Sequence, residues 1–173
     1  MTVFYVYPRW HKVSFSLIAQ QHLKYLKKWM RIYDIDELAF PEIYPATKPL
    51  VILHPYFYVM LRASKSIARR LHQFRGFIGI DVADSDHLTP LAVSMAEYAK
   101  VMVVPSNYAK QAFVKSGVKT QVEVIPHGVE PDYFSNTNYA RQYYPELLRR
   151  KQERRLKFLV FWLWHSGERK GVP

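Results

Sequence analysis

The chain has 173 residues, enough for one domain with a sizeable core and the beginning of a second. Its composition, 49% hydrophobic and 23% charged, excludes an extended disordered protein, and the absence of cysteine excludes disulfides, iron–sulfur clusters and thiolate zinc sites. A net charge of +11 favours an anionic partner (nucleic acid, acidic lipid headgroups or a phosphorylated small molecule) over a merely basic surface.

From the start of the chain, residues 2–7 (TVFYVY) predict a strand. This apolar run is too short for a secretory signal and ends at Pro8-Arg9, so a cytoplasmic protein is expected. A helix follows over residues 15–31. Phe15, Ile18, Ala19, His22, Tyr25, Leu26 and Trp29 form its apolar stripe, and Lys24, Lys27, Lys28 and Arg31 a basic one. Strands are expected at residues 34–40 and 50–54. The next helix, residues 57–72, has its stripe at Phe57, Met60, Leu61, Ile67, Ala68 and Leu71. Then come a strand at 77–81, a helix at 89–99, a strand at 101–105, a helix at 107–116 and a strand at 121–126. Ser106 is placed to cap the helix at 107–116 and Gly117 to stop it.

Most of these strands are continuous apolar runs, as strands covered on both faces are. Strand and helix in alternation predict an α/β fold, a Rossmann-like parallel sheet flanked by helices. Residues 1–134 form that domain, residues 135–156 a basic connector, and residues 157–173 begin a further domain with the apolar strand FLVFWLW. That run, like every other in the chain, falls short of the ~20 residues that span a bilayer.

In such sheets ligands bind beyond the carboxyl ends of the strands. Those ends carry YPRWHKVS, with Arg9 and His11; HPYF; DVADSDH, with Asp81, Asp84 and His87; and PHGVEPDYF, with His127, Gly128 and Glu130. The glycines of a dinucleotide fingerprint or a P-loop are absent. The histidines lack metal-binding spacing, and DVADSD lacks the central Gly and terminal Glu of a calcium loop, so no metal is expected.

Residues 101–134, VMVVPSNYAKQAFVKSGVKTQVEVIPHGVEPDYF, resemble the end of the N-terminal domain of family 4 glycosyltransferases of GT-B fold. There an apolar strand, Pro-Ser, a helix, Ser-Gly-Val, a strand and a Gly-Val-Asp loop occur in this order. FLVFWLWHSGERKGVP resembles the first strand and loop of their C-terminal, donor-binding domain. The resemblance implies a glycosyltransferase, or a fragment of one, that moves a sugar from a nucleotide-sugar co-substrate to an acceptor, with retention and without a metal or further cofactor. It places Lys170, with Arg169, at the donor diphosphate, and Gly128 and Glu130 at the cleft, with Glu130 in place of the family's Asp. Arg9, His11, His87 and His127 belong to the loops around the acceptor. Asp81 or Asp84 is expected to orient the acceptor hydroxyl, the alternative being that they cap their own loop. Read as the start of a truncated donor domain, residues 157–173 lack the family's glutamate pair.

The competing reading is a non-catalytic basic module that docks on acidic membrane or nucleic acid. It would use the Lys24, Lys27, Lys28, Arg31 stripe and the arginine-rich run at residues 149–155. Nucleic acid is the weaker partner, because no recognised module supports it. Peripheral contact with acidic membrane is compatible with either reading.

Overall fold

A computed structural model describes residues 1–128 and positions 145, 146, 149, 150, 152 and 153. The chain divides into two units, Met1–His127 and Gly128–Pro173. The first holds six strands: β1 (Val3–Tyr7), β2 (Ile32–Asp36), β3 (Leu50–Leu53), β4 (Gly76–Ile80), β5 (Ala99–Val104) and β6 (Gln121–Val124). All pair in parallel, in the order β2-β1-β3-β4-β5-β6. Four helices connect them: α1 (Ser14–Leu26), α2 (Tyr56–Arg69), α3 (Pro90–Ala96) and α4 (Asn107–Lys115). This is the α/β, Rossmann-like arrangement expected from the sequence.

The strand order fixes the two layers. The chain steps from β1 to β2 on one side, then crosses to β3 on the other and continues outward. Right-handed crossovers therefore put α1 on one face and α2, α3 and α4 on the opposite face. Two cores result. The smaller gathers Val3, Tyr5, Tyr7 and Ile52 with Ala19 and Leu23 of α1. The larger packs Val6, Val51, Leu53, Phe77, Met102 and Val104 against Tyr56, Met60, Ile67, Ala109 and Phe113.

Gly79 shows how tightly the larger core is filled. A Cβ there would lie 2.4 Å from Met102 Sδ and 2.7 Å from Tyr56 Cδ2, both buried. Gly79→Ala should therefore cost about 1–3 kcal/mol through overpacking, read as a lower urea midpoint with an unchanged slope. An unshifted midpoint would show that the sheet gives way locally at no cost.

Several element bounds differ from the sequence reading, each for a local reason. The second strand ends at Asp36, whose carboxylate accepts from Leu38 N at 3.0 Å and turns the chain, leaving Leu38 exposed. Helix α1 stops at Leu26, so Trp29 lies past its end and is 84% exposed; it is no part of the core stripe. The buried line of α1 is Ser16, Ala19 and Leu23. Ser16 is tolerated there because its hydroxyl donates to Pro8 O at 2.6 Å. On α2 the buried line is Tyr56, Val59, Met60, Ala63 and Ile67, with Leu61 exposed. At α4 the expected signals act as read: Ser106 Oγ accepts from Ala109 N at 3.1 Å, and Gly117, at φ 88°, follows the last turn.

The domain boundary expected at residue 134 and the connector and terminal strand beyond it lie almost wholly outside the described residues. Among the six described positions there, Glu146 pairs with Arg149 and Arg150, and Arg149 with Glu153, at helical spacing.

Candidate functional site at the carboxyl edge of the sheet

The order of strands reverses between β1 and β3, and a crevice opens at such a point beyond the strand ends. Here it holds a cavity of about 420 Å³ lined by Pro8, His11, Val13, Ser14 and Phe15 from the loop after β1, and by Pro55 and Tyr58 after β3. Local sequence explains both walls. Pro8 ends β1 and leaves its carbonyl to Ser16, which ties the loop back to α1. Pro55 stands at the N-cap of α2 and starts that helix directly under the cavity. The first turn of α1 contains no acidic residue, and Val13 at its N-cap provides no side-chain cap.

Beneath the cavity lies a hydrogen-bonded trio. The Tyr5 hydroxyl is 2.7 Å from His22 Nδ1 and 3.1 Å from His54 Nδ1, and the two imidazoles stack at 5.6 Å. A hydroxyl has one proton to donate, so it gives to one Nδ1 and accepts from the other, which fixes opposite tautomers on the two neutral rings. Phe15, a cavity residue, packs edge-on against His54. Burial holds His54 down at about 3, helped by His22 and His127. Burial and His127 also lower His22, and burial raises the Tyr5 hydroxyl far above its usual range.

Glu37, directly after β2, forms a second polar feature. Its backbone N–H donates to Tyr7 O, and its side chain is fully buried. Oε1 lies 3.5 Å from the Tyr58 hydroxyl and 3.6 Å from Arg62 Nη1, both long, and Oε2 has no hydrogen-bond partner. Burial raises its pKa, as does Asp36; His11, Arg62 and Tyr58 pull it back. Arg62 also stacks on the Tyr58 ring at 4.7 Å, one turn along α2.

Of the residues singled out in the sequence, His11 lines the cavity. Arg9 is tied beside it: its N–H donates to Asp36 Oδ2 at 3.0 Å, and its guanidinium rests over Trp10. Asp81 is buried at the end of β4 and accepts from Phe57 N and Val82 N, each at 2.7 Å. It thus caps the start of α2, with its pKa raised to about 6 by burial against the pull of those N–H groups. Asp84 is exposed in the following loop. His87, also exposed, pairs with Asp86 at 3.0 Å. His127 is exposed, yet close enough to lower both the half-buried His22 and the buried His54. Gly128 is exposed, and a Cβ there would meet nothing within 4 Å, so no close approach among the described residues requires glycine. Glu130, Arg169 and Lys170 lie outside the described residues.

The basic stripe is only partly a helix face. Lys28 and Arg31 fall beyond α1, Lys27 is paired with Asp34 at 3.2 Å, and Lys24 and Lys28 sit over the Tyr25 ring. Among the described residues no His/Asp/Glu group has metal-holding geometry, and no helix is long and apolar enough to cross a membrane.

Sequence reasoning missed Tyr5, His22, His54, Glu37 and Tyr58. His54 and Tyr58 gave a faint signal, since a His-Pro after an apolar strand marks a carboxyl end. Glu37 gave none, being read as part of a strand.

Fold and cavity together define a doubly wound α/β domain with a ligand-sized cavity at its switch point. No protein-family model matches the chain, and no solved structure matches it. It is similar to a protein of Sulfolobus islandicus rod-shaped virus 1 described as "Uncharacterized protein 356", at 32% identity over 180 residues. That match covers 99% of this chain and 50% of the viral protein. The chain therefore spans about half the length of the curated relative it matches.

Proposed function

We propose that this chain supplies the acceptor-side half of a GT-B glycosyltransferase, a retaining, metal-independent enzyme that moves a sugar from a nucleotide-sugar to an acceptor. The observation that supports it is the cavity at the β1/β3 switch point, formed from the two loops where such an enzyme holds its acceptor. A basic docking module would need only a flat charged face. In this reading Lys170 and Arg169 neutralise the donor diphosphate, and His11 and Arg9 form the acceptor loop. The resemblance assigns His87, His127, Gly128 and Glu130 to the acceptor loops, and Asp84 is an exposed carboxylate in the loop after β4. Asp81 acts on the acceptor by holding the start of α2 in place beneath it. The enzyme works in the cytoplasm. Incubation with labelled nucleotide-sugars and a mixture of lipid and soluble acceptors should give labelled product and free nucleoside diphosphate, insensitive to EDTA. No transfer from any donor would overturn the reading.

A second reading, peripheral contact with acidic membrane, draws on Trp29, 84% exposed among Lys24, Lys28 and Arg31. An indole with neighbouring cations suits an anionic headgroup layer. Vesicles rich in acidic lipid should bind the protein and release it in ~1 M salt, where the Debye length is ~3 Å. Trp29→Ser should weaken that binding severalfold. Equal binding to neutral vesicles would count against it.

A further inference from the structure

In a parallel sheet every strand starts at the same edge, so the turns that lead into strands gather there, opposite the cavity. Each of these turns except the one before β1 carries a cation. They are Arg31 before β2, Lys48 before β3, Arg75 before β4, Lys100 at the start of β5 and Lys119 before β6. Strands ~4.8 Å apart set them in a row about 24 Å long. All are exposed, and among the described residues none is in an ion pair. The carboxyl ends of the helices also lie at this edge and favour cations, which accounts for Arg69 and Lys115 in the last turns of α2 and α4. It does not account for the row, whose members stand at the strand starts.

The same turns expose apolar side chains: Trp29, Met30, Tyr44, Leu71 and Tyr98. The Tyr44 ring rests on the buried Arg70 guanidinium at 4.7 Å, which holds it at this end of α2. Glu42 and Glu97 are the acidic residues in or beside these turns, whereas Asp36, Glu37, Asp81, Asp84 and Asp86 stand toward the opposite edge. Cations alone would suit any polyanion. The apolar side chains favour a bilayer, because a nucleic acid offers Met30 and Leu71 no apolar layer to enter.

We infer that the amino edge of the sheet docks on an anionic lipid bilayer, with the carboxyl edge and its cavity turned away from it. Five-residue strands hold the cavity about 16 Å from the docked edge, so its ligand arrives from water. This rests on the membrane reading above, and adds to it the face and the orientation.

The chain has no cysteine, so Thr47→Cys and Ser85→Cys each accept a single fluorescent label, at the amino and carboxyl edges respectively. The labelled full chain is mixed with vesicles of phosphatidylglycerol and phosphatidylcholine whose acyl chains are brominated. The label at position 47 should be quenched and the label at position 85 should not. Lys48→Gln, Arg75→Gln and Lys119→Gln should each weaken vesicle binding about fivefold, at ~1 kcal/mol per cation, with melting temperatures unchanged. Lys12→Gln, at the opposite edge, should leave binding as it was. The label pair reads the orientation even if one of these variants fails to fold. Quenching at position 85, or equally at both, overturns the inference and leaves the membrane reading standing. No binding to acidic vesicles removes both. Tighter binding to a single-stranded oligonucleotide than to vesicles, weakened by the same three substitutions, would assign the edge to nucleic acid and overturn the inference.

Discussion

Acidification should destabilise the Met1–His127 unit through His54, by roughly 5 kcal/mol between pH 6.5 and 3. The cause is geometric. His54 is 1% exposed, shares the Tyr5 hydroxyl with His22 and stacks on that second imidazole. A proton on His54 would be a desolvated charge, and the neighbouring His22 and His127 raise its cost further. The folded chain therefore holds His54 at about 3, against 6.5 when unfolded. The sign follows from proton counts. Between those values the unfolded chain binds a proton that the folded chain does not, so stability is present above pH 6.5 and lost as pH falls toward 3. At ~1.4 kcal/mol per unit, the interval gives the figure above.

Asp81 works in the opposite direction. Its folded value is raised to about 6 from 3.8, so the folded chain binds the extra proton, and stability rises as pH falls from 6 to 3.8. That gain is roughly 3 kcal/mol and hides part of the histidine effect in the wild-type chain. His54→Asn, which keeps a polar atom near the Nδ1 position, separates the two. Urea unfolding across the pH range should show the variant gaining stability from pH 6 to 4 while the wild type does not. Parallel curves would mean that His54 is protonated in the folded chain and that the trio does not hold it neutral.

The same residues show what the sequence could and could not reveal. Parallel pairing and the carboxyl edge follow from apolar runs and helical spacing, which act locally and survive in one dimension, whereas the layers follow from the strand order. Ser106 and Gly117 were legible for that reason: a cap and a stop need only their own helix. The faces of α1 and α2 were read about one position off. Ser16 and Tyr56 are buried with their polar atoms satisfied by Pro8 O and Met95 O, partners supplied by other elements. Tyr5, His22 and His54 are far apart along the chain and meet only because β1 and β3 are neighbours under α1. Asp81 looked like a carboxylate at an open edge; its partners, the first N–H groups of α2, appear only once β3 and β4 are side by side.

Replacing Lys170 with Ala should lower the turnover of the proposed transferase ten- to a thousandfold and leave its melting temperature unchanged. Departure of a nucleoside diphosphate puts negative charge on phosphate oxygens in the transition state, and an ammonium held beside them stabilises that state more than the ground state. One such contact, at ~1.4 kcal/mol per decade, accounts for the range. In the sequence Lys170 stands between Arg169 and Gly171, the residues that carry the resemblance to the donor loop. Lys170→Arg keeps the charge and should recover part of the rate. Arg169→Ala should raise KM for the donor more than it lowers kcat, since a second cation mainly holds the ground-state diphosphate. The measurement is steady-state transfer by the protein as its gene encodes it, with the donor panel described above. Full activity in the Lys170→Ala protein would remove the lysine from the diphosphate. Loss of activity together with a lowered melting temperature would assign it to packing, and the resemblance to the donor loop would then carry no chemistry.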